Sequence, residues 1–410
     1  MNHKTYTEEH SGLHSTPLSR TETIAVIIGT NIGAGVLGMA YAARKTGYLP
    51  LAVCLVFTCI ICVMAMLYVA EVCLRTKGNN QLSGLSRHYL GGLGGALIFF
   101  AVAANSYGAL FAYMSGSGRI LMDFFADYGM RREWAHLIFF IPSALVLFLG
   151  LKALGVGEKI ISSSMILILM VLVAATLMNE HASVNYLWES NWQYMVPIFN
   201  LAVFVFGAQF IVPELVRGNM TTPKRIPRLI IGGMTATLLL IMIIPASVIM
   251  LVGTEHVGEV ATLTWGKSLG NWAYYTANTF ALLAMLTSYW GLGGSLFTNI
   301  FDFFRLGDES HKGKRLLVLA IVGIPPLVLL YSGFDGFVNA LYFAGTVGGV
   351  MMGIVPILLL NAARRHGDRE PEFVCGWYAH PVMQCIIVTI FAASAVYALA
   401  SVFDLLPSGW

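Results

Sequence analysis

The amino-acid sequence predicts an all-α integral membrane protein of eleven transmembrane helices, the first and sixth of them broken. Three observations carry this. Of 410 residues, 57% are hydrophobic and only 11% are charged, and the charges fall in clusters instead of covering a soluble surface. The clusters separate eleven runs without Asp, Glu, Lys or Arg: 23–43, 46–70, 88–118, 135–151, 160–179, 190–213, 229–254, 268–301, 316–334, 336–363 and 373–403. Two of these runs, five spans apart, carry weak helix formers at mid-depth.

Taken in order, each run can cross once, because a ~30 Å hydrocarbon layer needs about 20 apolar residues at about 1.5 Å per residue. Run 1 follows a polar stretch and ends in Tyr41-Ala42-Ala43-Arg44. It lacks the small-residue cleavage pattern of a signal peptide, so it is expected to stay attached. Runs 2 and 3 are long enough to span with some tilt, whereas run 4, at 17 residues, is marginal. Runs 5 to 7 have ordinary span lengths, and run 8, at 34 residues, must overhang or tilt. Runs 9 to 11 each suffice for one crossing. The 22 residues before run 1 are polar and expected to be disordered, and no other segment is long enough for a soluble domain.

Orientation follows from Lys and Arg, which resist translocation. With the N-terminus inside, 18 of the 24 basic residues fall on inner segments and five on outer ones, with Arg119 near the outer end of span 3. The chain is therefore read as a multi-pass plasma-membrane protein with a cytoplasmic N-terminus and an extracellular C-terminus. The net charge of +3 is a topological signature and implies no nucleic-acid partner. The six cysteines lie in or beside spans and read as packing residues, with no extracellular disulfide framework.

In span 1, "GTNIGAG" places Gly29, Gly33 and Gly35 around Thr30 and Asn31; in span 6, "FNLAVFVFGAQFIVPELV" carries Gly207 and Gln209. An unpaired backbone group in hydrocarbon costs several kcal/mol, so non-helical backbone survives only where protein, ligand or water lines it. The helix resuming after Gly35 offers free N–H donors to a carboxylate, and the helix ending near Ile28 offers carbonyls to a cation. Together the two ends suit a zwitterion with a coupling cation beside it. The plainer reading of the glycines is close helix–helix contact of the small-xxx-small kind; the second break tilts the balance toward a site. Two breaks five spans apart also place the second five spans upside down relative to the first. The expected organisation is a cytoplasmic tail over 1–22, a first inverted repeat over 23–179, a second over 190–363, and an eleventh helix over 373–404.

Four segments, "GTNIGAGVLGMAYAARKTG", "YGALFAYMSGSGRIL", "FGAQFIVPELV" and "LTSYWGLGGSLF", resemble the hydroxy- and aromatic amino acid permease family of the amino acid–polyamine–organocation superfamily, which includes bacterial tyrosine and tryptophan permeases. The resemblance runs in order across all but the tails. It implies the five-plus-five inverted-repeat fold of the bacterial leucine transporter with one helix added. It also implies that the main chain of Gly33, Ala34 and Gly35 meets a substrate carboxylate, with Thr30 and Asn31 alongside. Phe206, Gly207, Ala208 and Gln209 would meet the ammonium and side chain, Phe206 lining the side-chain pocket, and span 3 would add Asn105 or Tyr113. The segment from Ala284 to Ser288 is similar in spacing to one that in sodium-coupled relatives supplies a carbonyl and two hydroxyls. Ala284, Thr287 and Ser288 would join the carbonyls of Gly29 and Ile32 in a five-oxygen Na⁺ shell. Against this, the family is described as proton-coupled, and paired hydroxyls in a span also bond to the carbonyl four residues back. Na⁺ and H⁺ both stay open.

The chain departs from the family pattern at Gln209, where members often carry His, and at Thr298, where an acid is expected and Asp302 follows one turn later. Glu71 and Glu214, near inner span ends, read as gating or coupling acids or as interfacial charges; Asp302 reads as interfacial. Trp188, Trp192, Trp265 and Trp272 mark an outer aromatic belt. "TWGKS", residues 264 to 268, lacks the preceding glycine of a phosphate loop, and the histidines have no metal spacing. No enzyme is expected, and no cofactor beyond the coupling cation. The reading is a secondary transporter importing an amino acid, aromatic or otherwise neutral, by H⁺ or Na⁺ symport with alternating access, with no obligate protein partner. The alternatives are an exchanger or uniporter of small neutral or branched amino acids, and a transporter-like nutrient sensor.

Overall fold

A computed structural model describes residues 13, 16–258, 260–333, 337–402 and 405. The secondary structure of the described residues is helical, as α1 (Arg20–Asn31), α2 (Ala34–Thr46), α3 (Tyr48–Arg75), α4 (Leu82–Phe124), α5 (Arg132–Leu149), α6 (Leu151–Leu177), α7 (Met195–Phe206), α8 (Val212–Gly218), α9 (Ile226–Val252), α10 (Ala261–Leu269), α11 (Asn271–Phe303), α12 (Lys312–Tyr331), α13 (Phe337–His366) and α14 (Pro381–Val402). Among the described residues, ten spans are long and apolar enough to cross a membrane, with α7 and α8 forming one of them. The eleventh is the pair α1 and α2, each too short to cross alone at 12 and 13 residues.

Local chemistry sets the ends. Ser19 caps α1 in a capping box: its hydroxyl accepts from the Glu22 N–H, and the Glu22 carboxylate accepts from the Ser19 N–H at 2.8 Å. The helix therefore starts earlier than the charge-free run. The expected tail over 1–22 is not wholly free: Leu13 and Leu18 are buried, and the Leu18 N–H donates to the Gly218 carbonyl at 2.8 Å. The rest of the tail, residues 1–12, 14 and 15, and residues 403 and 404 of the expected last span, lie outside the described residues. Gly47 turns α2 into α3 at φ +81°, and Gly91 divides α4 at φ +77° into a short N-terminal segment and a crossing, both conformations that glycine adopts without a Cβ penalty.

The helices sort into two groups. Helices α1, α2, α3, α7 and α9 pack on one another, as do α4, α5, α11 and α12; α13 bridges α4, α3 and α7, and α14 packs on α13. Between the groups, α1 lies against α6 and α11. Close approach there relies on glycine, since a Cβ at Gly291 would overlap the Thr30 side chain; within the first group, one at Gly233 would crowd Ile27. Trp265 departs from the expected belt. Trp188, Trp192 and Trp272 are exposed, but Trp265 is fully buried on α10 and its indole N–H donates to Thr176 Oγ1 at 2.8 Å. That partner lets the polar tip of the indole leave the interface. The "TWGKS" stretch is part of α10.

Candidate functional site

The two broken crossings meet at the centre. Span 1 is interrupted at Ile32 (φ −84°, ψ 79°) and Gly33 (φ −128°, ψ −149°), and α2 restarts at Ala34 without a side-chain cap. Span 6 is interrupted at Gly207, followed by a 3-10 turn over Ala208–Ile211 and then α8. A cavity of about 10 Å³ lies between them, walled by Thr30, Asn31, Gly207, Phe204, Val205 and Phe210 from the broken spans, by Asn105 and Tyr113 from α4, and by Leu292 from α11. Five of the residues expected at a substrate site, Thr30, Asn31, Asn105, Tyr113 and Gly207, thus share one cavity.

The break itself is tightly enclosed. A Cβ at Gly33 would overlap the Ser288 hydroxyl and touch the Tyr113 ring, and one at Gly35 would overlap Val205 and crowd the Phe204 ring. Asn31 donates to the Ile27 carbonyl at 2.8 Å and reaches Met234 Sδ at 3.6 Å, which fixes its amide. Thr30 Oγ1 is buried without a hydrogen-bond partner among the described residues, leaving a polar atom ready for a guest.

Phe206, Ala208 and Gln209 sit differently from expectation. All three are buried, yet none walls the cavity, where the aromatic surface comes from Phe204, Phe210 and Tyr113. The reason is helical register: two residues along an α-helix is about 200° of rotation at 3.6 residues per turn, so Phe204 and Phe206 face opposite ways. Gln209 lies toward Cys62 of α3.

The five residues expected to form a cation shell lie at the neighbouring junction of α1 and α11. Ser288 Oγ donates to the carbonyls of Gly29 at 2.7 Å and Thr30 at 3.0 Å. Thr287 Oγ1 donates to the Gly29 carbonyl at 3.2 Å and, one turn back, to the Ala284 carbonyl at 3.1 Å. Ile32 caps the end of α1. Sequence reasoning missed a residue beside this cluster. Glu158 lies within α6, fully buried, and a Cβ at Gly29 would overlap its carboxylate. Neither of its carboxylate oxygens has a hydrogen-bond partner among the described residues. The available signal was its place in "GVGEK": Gly155 and Gly157 pack against Leu18 and Trp290, drawing this turn of helix into the bundle.

The two acids expected at the inner mouth belong to separate networks. Glu214 accepts from Thr298 Oγ1 at 2.5 Å and from Gln81 Nε2 at 3.1 Å, and the Gln81 N–H donates to Asp302 at 2.6 Å. This ties α8 to α11 and to the start of α4. Asp302 is thereby buried rather than interfacial, because the main chain at Gln81 and Gly84 closes over its carboxylate. Glu214, Arg217, Thr298, Glu309 and Arg315 line a second, larger cavity of about 210 Å³. Glu71 is sealed elsewhere: it accepts from Arg75 Nε at 2.9 Å, from Arg364 Nε and Nη2 at 2.9 Å each, and from the Cys375 N–H at 2.6 Å.

Comparison with known proteins places this geometry. The family model described as the tryptophan/tyrosine permease family matches residues 19–397. A tryptophan-specific transport protein of Pseudomonas aeruginosa is 24% identical over 92% of this chain and 93% of its own length. One of Shigella flexneri is 26% identical, covering 94% and 95%. A tyrosine-specific transport system of Haemophilus influenzae is 24% identical over 86% and 90%. Among solved structures, the nucleobase-cation-symport-1 family transporter Mhp1, in a closed conformation with bromovinylhydantoin bound, aligns with a TM-score of 0.70 at 13% identity, covering 97% of each chain. MhsT in complex with L-phenylalanine aligns with a TM-score of 0.68 at 15% identity, covering 93% of this chain and all of the other. The fold is that of the leucine transporter.

Proposed function

Given that the chain belongs to the tryptophan/tyrosine permease family, a family of membrane transporters and not of enzymes, and works in amino acid transport at the plasma membrane, we propose that it imports an aromatic amino acid by cation symport with alternating access. The observation that carries this is the small cavity shared by the two breaks. Its volume of about 10 Å³ holds about one water, far below the few hundred Å³ of a pocket that encloses an organic ligand. For an indole or phenol to enter, Phe204 and Phe210 must part from Tyr113 and Leu292. These walls belong to the two separate helix groups, so opening the site and rocking one group against the other are one motion. The uncapped start of α2 and Thr30 would receive the carboxylate, Asn105 and the Gly207 turn the ammonium, and the three aromatic rings the side chain.

Residues 23–179 and 190–363 act as the two inverted repeats, with helices α1, α2, α3, α7, α8 and α9 rocking on α4, α5, α11 and α12. The concentration of Lys and Arg on one set of loops sets the N-terminus in the cytoplasm. The cavity beside Glu214 and Thr298 then lies on the cytoplasmic route, with the Gln81, Glu214 and Thr298 cluster as its latch.

Uptake of radiolabelled tryptophan and tyrosine into proteoliposomes tests the proposal. Under an inward Na⁺ or H⁺ gradient the label should accumulate above its external concentration, and collapsing the gradient should release it. Equilibration without accumulation identifies a uniporter, and uptake only against internal amino acid identifies an exchanger; either result overturns symport. The pocket assignment gives a second prediction. Phe204→Ala should raise KM for the aromatic substrate about tenfold, equivalent to ~1.4 kcal/mol, with stability little changed. Phe206→Ala should leave KM near wild type while removing about 3–5 kcal/mol of core packing, read as a lowered Tm. The reverse pattern would return Phe206 to the pocket.

A further inference from the structure

Glu214 and Arg217 stand three residues apart on α8, a spacing that puts two side chains on one helix face. Both line the cavity of about 210 Å³, and both are more than nine-tenths buried, at 3% and 5% exposure. The fold uses up neither of them. Arg217 Nε has no hydrogen-bond partner among the described residues, and both bonds that Glu214 accepts, from Thr298 and Gln81, go to Oε1, which leaves Oε2 uncommitted. The other guanidinium of the wall is engaged in full: Arg315 donates to the carbonyls of Phe148, Leu147 and Glu309 at 2.8, 2.9 and 3.2 Å and lies over the Phe297 ring at 4.9 Å. A buried guanidinium and a buried carboxylate are each costly until an opposite charge or a hydrogen bond meets them.

We propose that this cavity is a second binding site, for a zwitterionic amino acid with an apolar side chain, its carboxylate on Arg217 and its ammonium on Glu214 Oε2. A plain anion would satisfy Arg217 and be repelled by Glu214, and a plain cation would do the reverse; a guest carrying both charges satisfies both. A guanidinium also matches a carboxylate as a two-pronged fork. Val146, Leu154 and Phe297 supply an apolar wall for the side chain. At about 210 Å³ the cavity is smaller than the ~300 Å³ at which pockets for drug-sized ligands begin, which suits a single amino acid.

The site acts as a brake on the rocking motion. Its walls come from both helix groups, Glu214 and Arg217 from α8 on one side and Val146 and Phe297 from α5 and α11 on the other, so a guest between them ties the groups together. Because the ammonium takes Oε2 while Thr298 and Gln81 keep Oε1, the guest holds the latch shut instead of competing with it. Leu149 and Ser310, which also line the cavity, are exposed. The guest is therefore less enclosed than one between the two breaks, and the site binds more weakly, filling only where amino acid has accumulated.

The identity of the guest and the braking role rest on the transport reading; the site itself is tested by binding alone. Radiolabelled L-tryptophan is equilibrated with the full chain purified in detergent. The wild type should show two components, the second at about 100-fold higher concentration. Arg217→Gln should lose the weaker component alone, and Gly33→Ala the tighter one alone. Arg217→Lys, which keeps the charge and gives up the fork, should hold the weaker component about tenfold less tightly. If Arg217→Gln does not fold, Arg217→Lys decides alone, and an unchanged weaker component in it overturns the proposal.

A single component in the wild type overturns it as well, as does a weaker component that survives in folded Arg217→Gln. Accumulation of tryptophan in proteoliposomes alongside either result leaves the transport reading intact. Two components governed by Gly33 and Arg217, in a protein that accumulates no aromatic amino acid, do the opposite: the second site stands and the transport reading falls.

Discussion

Gly33→Ala is expected to abolish amino acid uptake while leaving the protein in the membrane at wild-type level. The smallest possible side chain is enough, because a Cβ at this position would overlap the Ser288 hydroxyl and reach the Tyr113 ring. Either α2 shifts or Ser288 is displaced from the Gly29 and Thr30 carbonyls it holds. Both outcomes would disturb the wall of the central cavity and the Ser288 hydroxyl contacts together. Binding should weaken by at least about 100-fold, or ~2.7 kcal/mol, with uptake at the background of empty liposomes. Insertion depends on the hydropathy of the whole span, which one methyl group does not reduce. The checks are equilibrium binding of labelled substrate and membrane abundance by immunoblot. Binding within a few-fold of wild type would remove the break at Gly33 from the site.

Glu71→Ala is expected to act in the contrary way, lowering stability and sparing the substrate KM. The carboxylate accepts four hydrogen bonds, from Arg75, twice from Arg364 and from the Cys375 backbone, and has no exposed surface. It therefore bolts α3 to α13 and to the loop before α14. Truncating one partner of such a buried pair leaves the other charges uncompensated, at a cost of about 3–5 kcal/mol. Arg364 is 30% exposed and Arg75 13%, so water recovers part of the loss and the lower end applies. Thermal unfolding in detergent reads this as a lowered Tm, and uptake by the surviving folded fraction should show a wild-type KM. A changed KM with unchanged Tm would instead make Glu71 a moving gate.

The crossings were legible because hydrocarbon imposes a demand that a linear chain displays: an apolar stretch of fixed length for every passage. The breaks were legible for a related reason, since Gly33 and Gly207 are costly in a lipid-facing helix and reveal an enclosed space. Where the chain reads poorly is in the azimuth of side chains around those breaks. Phe204 and Phe206 are equivalent by composition and depth, and only the docked helices decide which ring meets the cavity. Glu158 was hidden by its own charge, because counting uncharged runs assigned residues 152–159 to a loop. The two glycines just before it, Gly155 and Gly157, let α6 pack against Leu18 and Trp290 and carry the acid into the bundle.

The sequence by itself determined that this chain lives in a membrane, how many times it crosses, and that two crossings are interrupted, since each is a consequence of transferring consecutive residues from water to lipid. Only the tertiary structure decided which charges are paired and which are bare. Glu71 finds Arg364 at 293 positions' separation, whereas Glu158 lies against the main chain of Gly29 and its carboxylate oxygens have no hydrogen-bond partner among the described residues. In a low-dielectric interior the fate of a charge depends on atoms within a few ångströms, and nothing in the order of residues along the chain fixes which atoms those are.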